Sequence, residues 1–238
     1  MLYEHITGPK TLRVPFWRSI VEKVHQNPGL AQLIKSFSMT RQDPRFRGSP
    51  PENIRLELPI KLVESLASYK GATHKEILLD LERRSKAGDF IFMTLLILQA
   101  STIEMIRLGD FINRPGNRPH TRLPLVIEEI GLRIYNDLDA GLDPRCFGHL
   151  RRLYVDLEIW GYFPADAIIP LLYLPALKFL QLHKWGYRTR RRMRTRFGTG
   201  RVWPVRSSGV EELVLNRVYA TSKQVRSCSI SSTWYGSC

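Results

Sequence analysis

The sequence predicts an α/β fold in which helices alternate with short parallel strands that stack as successive repeats. One observation is a phrase that occurs five times: an apolar residue, two other residues, an apolar residue, one other residue and an apolar residue. A second is that each copy follows a segment with helical character. The five copies are Ile34-Phe37-Met39, Ile103-Ile106-Leu108, Leu150-Leu153-Val155, Leu177-Leu180-Leu182 and Val210-Leu213-Leu215.

This phrase is the strand signature of leucine-rich repeats. We therefore predict an irregular leucine-rich-repeat solenoid, horseshoe-like, with parallel strands inside and helices outside. It is irregular because the copies begin at residues 34, 103, 150, 177 and 210, without a constant period. A doubly wound α/β sheet also alternates helices and strands and is the main alternative. No predicted strand ends in a glycine-rich phosphate turn, which favours the solenoid.

The elements of the N-terminal half follow from local signals. "LYEHI" at residues 2–6 alternates like a strand, and a helix fits Pro15 to His25 before Asn27-Pro28-Gly29 ends it. Residues 41–56, rich in charge, proline and glycine, predict a mobile insertion. Helices are then expected at 58–69 and 73–86, the second opened by a capping box of Thr73 and Glu76.

In the C-terminal half, a strongly apolar helix fits residues 89–100 and leads into the strand "TIEMIRL". Helical spacing resumes at 125–138, and "ADAIIPLLYLP" precedes the strand "ALKFLQL". Residues 184–206 read as a basic loop between two repeats. We expect one repeat domain over residues 1–238, interrupted by this loop and by the 41–56 insertion.

Composition narrows the classes of protein. The N-terminus lacks a secretory signal, and the longest uncharged apolar stretch is shorter than the roughly 18 residues of a membrane span. Three widely separated cysteines form neither a zinc pattern nor a disulfide framework. These features predict a cytoplasmic or nuclear protein with reduced thiols and no membrane association.

The net charge of +14 is concentrated in one segment. The stretch from Lys184 to Arg206 holds nine basic residues and no acidic one, so the rest of the chain is only mildly basic. This segment is interpreted as a solvated loop, a nuclear-import signal, or a site for RNA or an acidic partner. The arginines concerned are Arg188, Arg190, Arg191, Arg192, Arg194, Arg196 and Arg201.

The sequence lacks the motifs typical of catalytic, phosphate-binding and metal-binding sites. The six histidines lack ligand spacing, and there is neither a hydrolase nucleophile elbow nor a phosphate-binding loop. Glu128-Glu129 and Asp137 with Asp139 are expected on solvated helix faces, without partners that would fix them for acid–base work. We therefore expect a protein that is not an enzyme, with no catalytic, cofactor-binding or metal-binding residues and no cofactor.

Residues between the apolar positions of each phrase should face away from the core, because side chains alternate across a strand. Aligned strands would place them together on the inner wall of the solenoid, where Tyr154 and Phe179, ringed by charge, resemble the aromatic anchors of an interaction patch. The predicted partner-binding residues are Met105, Arg107, Arg152, Tyr154, Asp156, Phe179, Gln181, His183, Glu212 and Asn216, with Val214 among them.

Longer segments resemble a known family. "PFWRSIVEKVHQNPGLAQLIKSFSM" resembles the helix-then-strand opening of fungal F-box proteins with degenerate leucine-rich repeats. "LILQASTIEMIRL", "LLYLPALKFLQL" and "SSGVEELVLNRV" are similar to their later repeats. "MLYEHI" resembles the segment that follows an F-box, and the F-box itself is absent from the sequence. "VRSCSISSTWYGSC" resembles a helix end entering a further strand that is not completed.

The resemblance implies a function. In this family the F-box docks on the Skp adaptor of a cullin ubiquitin ligase, and the repeats hold substrates. Without an F-box the adaptor is not itself implied, and the expectation is a non-catalytic protein-interaction scaffold that resembles the substrate-recognition repeats. The alternative, from another class, is a nucleic-acid-binding module that acts through Arg188 to Arg201.

Overall fold

The computed structural model describes residues 4–7, 14–38, 58, 60–86, 91–108, 125–156, 168–183, 208–216 and 233–235. The strands in these ranges are β1 (His5–Thr7), β2 (Ser36–Ser38), β3 (Met105–Leu108), β4 (Arg152–Asp156), β5 (Phe179–His183), β6 (Glu212–Asn216) and β7 (Thr233–Tyr235). The helices are α1 (Val14–Gln26), α2 (Pro28–Gln32), α3 (Ile60–Glu64), α4 (His74–Lys86), α5 (Ile91–Gln99), α6 (Leu125–Asp139) and α7 (Ile168–Leu172), with a 3-10 turn at Ala67–Tyr69.

The strands form a seven-stranded sheet in which every pair is parallel and the spatial order is the chain order, β1 to β7. The predicted α/β class with parallel strands is thereby confirmed. A doubly wound sheet reverses its strand order at a switch point, and the order of the seven described strands contains no such reversal. The last segment, expected to enter a strand that is not completed, contains the three-residue strand β7, which pairs with β6.

The recurring phrase accounts for the buried side of the sheet. Its second and third apolar positions lie within or at the end of the strands and point to the same side, and its first precedes the strand at the sheet entrance. Every described member of the five copies is at most 5% exposed, and these side chains form part of one continuous hydrophobic cluster. Met39 lies outside the described residues. Burying these side chains between sheet and helices supplies most of the driving force for stacking the repeats.

The same backbone contact joins successive strand entrances at the five steps from β1 to β6. Two successive N–H groups at a strand entrance donate to one carbonyl of the preceding repeat, at N···O distances of 2.7–3.2 Å. The accepting carbonyls belong to Glu4, Lys35, Glu104, Arg151 and Lys178. The same residue accepts through its carbonyl from the next strand entrance and donates through its N–H to the preceding one, as Lys35 does between Glu4 and Glu104. The strands are therefore stacked in one constant register.

The helices occupy the other side of the buried layer. Helix α1 packs on α5, α5 on α6, and α6 on α7. Helix α5 is apolar on all sides, and Ile91 to Ile97 are all buried, because α4 also packs against it. The segment from α3 to α4 is thus a further helical unit added between β2 and β3, and it accounts for part of the long gap between the first two phrase copies.

Most predicted helices occur within one or two residues of their expected bounds. The exception is the helix expected at 58–69, which is divided into α3 and the 3-10 turn Ala67–Tyr69. The capping box of α4 is present: the Thr73 N–H donates to Glu76 Oε2 at 2.8 Å, and the Glu76 N–H donates to Thr73 Oγ1 at 3.4 Å. The bonds from the backbone and side chain of Thr73 lower the pKa of Glu76, so the folded state favours its charged form.

Both predicted insertions, residues 41–56 and 184–206, lie outside the described residues. Within the described ranges, no helix is both long enough and apolar enough to cross a membrane.

Candidate interaction surface on the exposed face of the sheet

The strand register brings the predicted inner-wall residues together on one side of the sheet. Since the phrase residues point to the helices, the residues between them point to the opposite side, here called the exposed face. They form three rows across the strands. The rows are Met105, Arg152, Phe179 and Glu212; then Arg107, Tyr154, Gln181 and Val214; then Asp156, His183 and Asn216. All of these side chains are half-buried or exposed.

An aromatic pair lies at the centre of this face. The ring centroids of Tyr154 and Phe179 are 4.9 Å apart, with the ring planes tilted by 37°. The two residues are diagonal neighbours, because Tyr154 is opposite Gln181 and Phe179 is opposite Arg152. The two residues, which the sequence placed on one patch, are therefore in direct ring contact, and their centroid distance lies in the range that aromatic pairs prefer.

Arg107 extends this pair onto β3. Its guanidinium carbon lies 5.8 Å from the centre of the Tyr154 ring, within the range of a cation–π contact. Arg107, Tyr154 and Phe179 thus form a continuous stack over three neighbouring strands, here called the aromatic stack. A stack of planar side chains fixed by flanking strands loses little further conformational freedom when a partner covers it.

Charge is distributed unevenly over the exposed face. Arg107 and Arg152 are diagonal neighbours on β3 and β4, and both are exposed. Within the described part of the chain neither guanidinium forms an ion pair. Of the carboxylates among the predicted residues, Asp156 at the end of β4 is the other diagonal neighbour of Arg107, and Glu212 lies on β6, two strands from Arg152. Strands β3 and β4 therefore carry two guanidiniums and one carboxylate on this face, whereas β6 carries the carboxylate of Glu212.

The exposed face also contains residues that the sequence interpretation omitted. Ser36, which is buried, and Ser38, which is half-buried, continue the first two rows on β2, since they are opposite Met105 and Arg107. His5 and Thr7 on β1 continue them further, and His5 Nδ1 lies 2.8 Å from Ser36 Oγ. The alternation rule applied to the first phrase copy would have identified the two serines. His5 required the register of β1, which begins three residues later than the predicted strand.

A second charged row precedes the strands. It contains Glu4, Lys35, Glu104, Arg151, Lys178 and Glu211, the residues whose backbones join the repeats. Lys35 Nζ is 3.8 Å from Glu104 Oε1, and Lys178 Nζ is 2.6 Å from Glu211 Oε1. All four of these side chains are substantially exposed, so each pair contributes at most about 1 kcal/mol.

The prediction for Glu128 and Glu129 is wrong. Their side chains are 2% and 0% exposed, respectively, not solvated. Glu128 pairs with Arg84 NH2, and Arg84 is itself only 5% exposed. Glu129 accepts the N–H of Ala67 at 2.8 Å and that of Ser68 at 2.7 Å, so it caps the 3-10 turn. The helix is buried on a second side because the α3–α4 segment folds over it.

The carboxylates at the other end of α6 behave nearly as expected. Asp139 is exposed and accepts the Tyr135 hydroxyl at 3.2 Å, and Asp137, half-buried, accepts the Arg145 N–H at 2.9 Å. Close by, burial raises the pKa of the Cys146 thiol to about 12, with the charge of Asp137 acting in the same direction. A thiol with this pKa stays protonated at neutral pH and is a poor nucleophile or metal ligand.

In the described part of the chain, no group of three or more His, Cys, Asp or Glu side chains is arranged to hold a metal ion. The arginine-rich residues from Arg188 to Arg201 lie outside the described ranges. When the chain was compared with known proteins, no family model, curated protein or solved structure matched it.

Proposed function

We propose that the protein is a non-catalytic interaction scaffold of leucine-rich-repeat type, and that the exposed face of its sheet binds a protein partner. The observation that carries the proposal is the aromatic stack of Arg107, Tyr154 and Phe179 on that face. Tyrosine and arginine are enriched among the residues that dominate binding energy, and they are most effective at the centre of a patch.

The repeat architecture is supported by three features that agree with one another. Successive strands are neighbours, successive repeats share the same entrance hydrogen bonds, and the described phrase residues are all buried. Stacks of this kind present a broad sheet face that is built from one or two residues per repeat. A partner can then contact several repeats at once, which favours recognition of a protein surface.

Two buried carboxylates support the non-catalytic assignment, because both already form contacts that stabilise the fold. Glu129 caps the 3-10 turn with both oxygens, and Glu128 is paired with Arg84. A catalytic acid or base needs a proton-transfer partner within reach of a substrate. These two side chains are enclosed between α6 and the α3–α4 segment instead, where they stabilise the fold.

The family resemblance supports the finer part of the proposal. A scaffold that resembles the substrate-recognition repeats of an F-box protein would hold a substrate for a cullin ubiquitin ligase. In cells, this role requires the protein to be joined to the Skp adaptor, either through an F-box in the same polypeptide or through another subunit. Co-purification of that adaptor with the protein therefore tests ligase membership separately from binding at the exposed face.

The test is affinity capture with the wild-type protein and with the variant Tyr154→Ala/Phe179→Ala. We expect a defined protein partner to be retained by the wild type and to bind the variant at least about tenfold more weakly. Tyr135→Ala on α6 is the matched control, since it removes a half-buried tyrosine away from the face. Unfolding curves of all three proteins separate loss of binding from loss of structure.

Equal capture of the partner by the wild type and the double variant would contradict the proposal. Capture of RNA in place of protein, with affinity that falls steeply as salt rises, would favour the alternative module built on Arg188 to Arg201.

A further inference from the structure

We infer that the partner of the exposed face is an acidic protein segment in which an Asp or Glu stands close to an aromatic or aliphatic residue. The inference rests on the proposed function and specifies the chemistry of its partner. In this arrangement the acidic side chain binds between Arg107 and Arg152, and the apolar side chain packs on Tyr154 and Phe179.

The two arginines form a site for a carboxylate. Arg152 is opposite Met105 and Arg107 is opposite Tyr154, so the arginines are diagonal neighbours with Cα atoms about 8 Å apart. Side chains of this length bring both guanidiniums within reach of one carboxylate placed between them. Their other directly opposite neighbours, Ser38 and Phe179, are uncharged, and Asp156 is the diagonal neighbour of Arg107 on the side away from Arg152. Two like charges held this close repel each other, and a bound anion relieves that repulsion.

Arg107 is also held in place with its hydrogen-bond donors available. The cation–π contact with Tyr154 orients the guanidinium but provides no acceptor oxygen for its five N–H groups. Within the described residues neither Arg107 nor Arg152 donates a side-chain hydrogen bond. An arginine that is oriented and unpaired loses little entropy when it binds a carboxylate through two N–H groups.

The apolar part of the site lies beside this pair. Phe179 is one strand from Arg152, and Tyr154 contacts Arg107 directly, so the two kinds of contact are separated by one or two strand spacings of about 4.8 Å each. A single segment spans that separation with two side chains two to four positions apart, either in an extended chain or on one side of a helix. The partner is therefore a short sequence rather than two distant surfaces.

The charges around the stack favour a protein over a nucleic acid. Asp156 lies two residues beyond Tyr154 on β4 and Glu212 lies opposite Phe179, so carboxylates border the aromatic pair at two places. A phosphate backbone carries a charge at every nucleotide and would meet both carboxylates while it followed the stack. An isolated acidic residue can bind between Arg107 and Arg152, on the side of Arg107 away from Asp156, while an apolar residue near it packs on the rings.

The test uses short random peptides displayed on phage and selected against the wild-type protein. We expect enrichment of sequences with Asp or Glu two to four positions from an aromatic or aliphatic residue. For the selected peptides, measured as free labelled peptides by fluorescence polarisation, Arg107→Glu and Arg152→Glu should each weaken binding at least about tenfold. Arg83→Glu on α4, an exposed arginine away from the sheet, is the matched control and should leave affinity unchanged.

A charge exchange makes the test specific. Replacing the acidic residue of a selected peptide by Lys should abolish binding to the wild type and restore it to Arg107→Glu/Arg152→Glu. Peptides that lose affinity in Tyr154→Ala/Phe179→Ala but not in the arginine variants would overturn the acidic-partner inference and leave the proposed function intact. Peptides unaffected by either set of substitutions, or the absence of any selected peptide, would count against both. Binding of a labelled RNA that the arginine variants abolish would overturn the choice of a protein partner.

Discussion

Two regions of this protein contain arginines near carboxylates and tyrosine, and they differ in almost every physical respect. At α4 and α6, Arg84 is 5% exposed and lies between Asp80 and Glu128, while the Tyr69 hydroxyl donates to Asp80 at 2.7 Å. On the exposed face, Arg107 lies against Tyr154 and has no acidic partner among the described residues. In the first region the charged groups pair with one another inside the fold and form a closed network. In the second, the N–H groups of Arg107 are available to a partner.

The difference shows how burial decides the role of a charged side chain. A desolvated ion must be matched inside the fold, since an unmatched one carries an energetic penalty of several kcal/mol. An exposed ion is matched by water, and therefore it can exchange water for a partner at little cost. The same residue type thus stabilises the fold between α4 and α6 and remains available for recognition on the sheet.

We expect the largest loss of stability when only one member of the buried pair Arg84–Glu128 is replaced. Arg84→Met leaves Glu128 buried without its cation, so the free energy of unfolding should fall by about 3–5 kcal/mol. Arg84→Met/Glu128→Leu removes both charges, and the double variant should be more stable than the single one. Urea denaturation of the three proteins measures this order. A double variant no more stable than Arg84→Met would show that Glu128 is not the group left unpaired.

The two glutamates also show what the sequence could not reveal. The phrase of apolar residues predicted the strands and the exposed face, since both follow from a period that is local to each repeat. The burial of Glu128 and Glu129 depends on residues 44 to 62 positions earlier, which fold back over α6. Nothing in the spacing of "LVIEEIGLRIYNDL" distinguishes a carboxylate facing water from one that caps a distant turn.

The contact between Tyr154 and Phe179 could be predicted only in part from the sequence. Both residues were predicted on one patch from alternation alone, but their ring contact depends on the register between β4 and β5. Register is set by the apolar pattern of both strands together with the segment that connects them, so one strand alone does not determine it. The opening strand, predicted at 2–6, occurs at His5–Thr7.

A smaller effect is expected at the cap of the 3-10 turn. Glu129→Gln keeps the shape of the side chain but replaces one acceptor oxygen by an NH2 group, which would face the N–H of Ala67 or Ser68. One buried donor is then left without an acceptor, so the free energy of unfolding should fall by about 1–3 kcal/mol. Asp139→Asn, an exposed carboxylate on the same helix, is the control and should change it by less than about 0.5 kcal/mol. Equal losses for the two variants in urea denaturation would mean that the cap adds no stability.

The smallest effect on stability is expected on the exposed face. Arg107→Met/Arg152→Met removes two positive charges that form no ion pair among the described residues, together with the cation–π contact of Arg107 with Tyr154, so the free energy of unfolding should change by less than about 1 kcal/mol. A slight gain is consistent with the same reasoning, since the substitution removes the repulsion between the guanidiniums. This result, set against the large loss in Arg84→Met, would show that the fold does not depend on these arginines. A loss as large as that of Arg84→Met would instead mean that they stabilise the sheet, and their availability for a partner would have to be rejected.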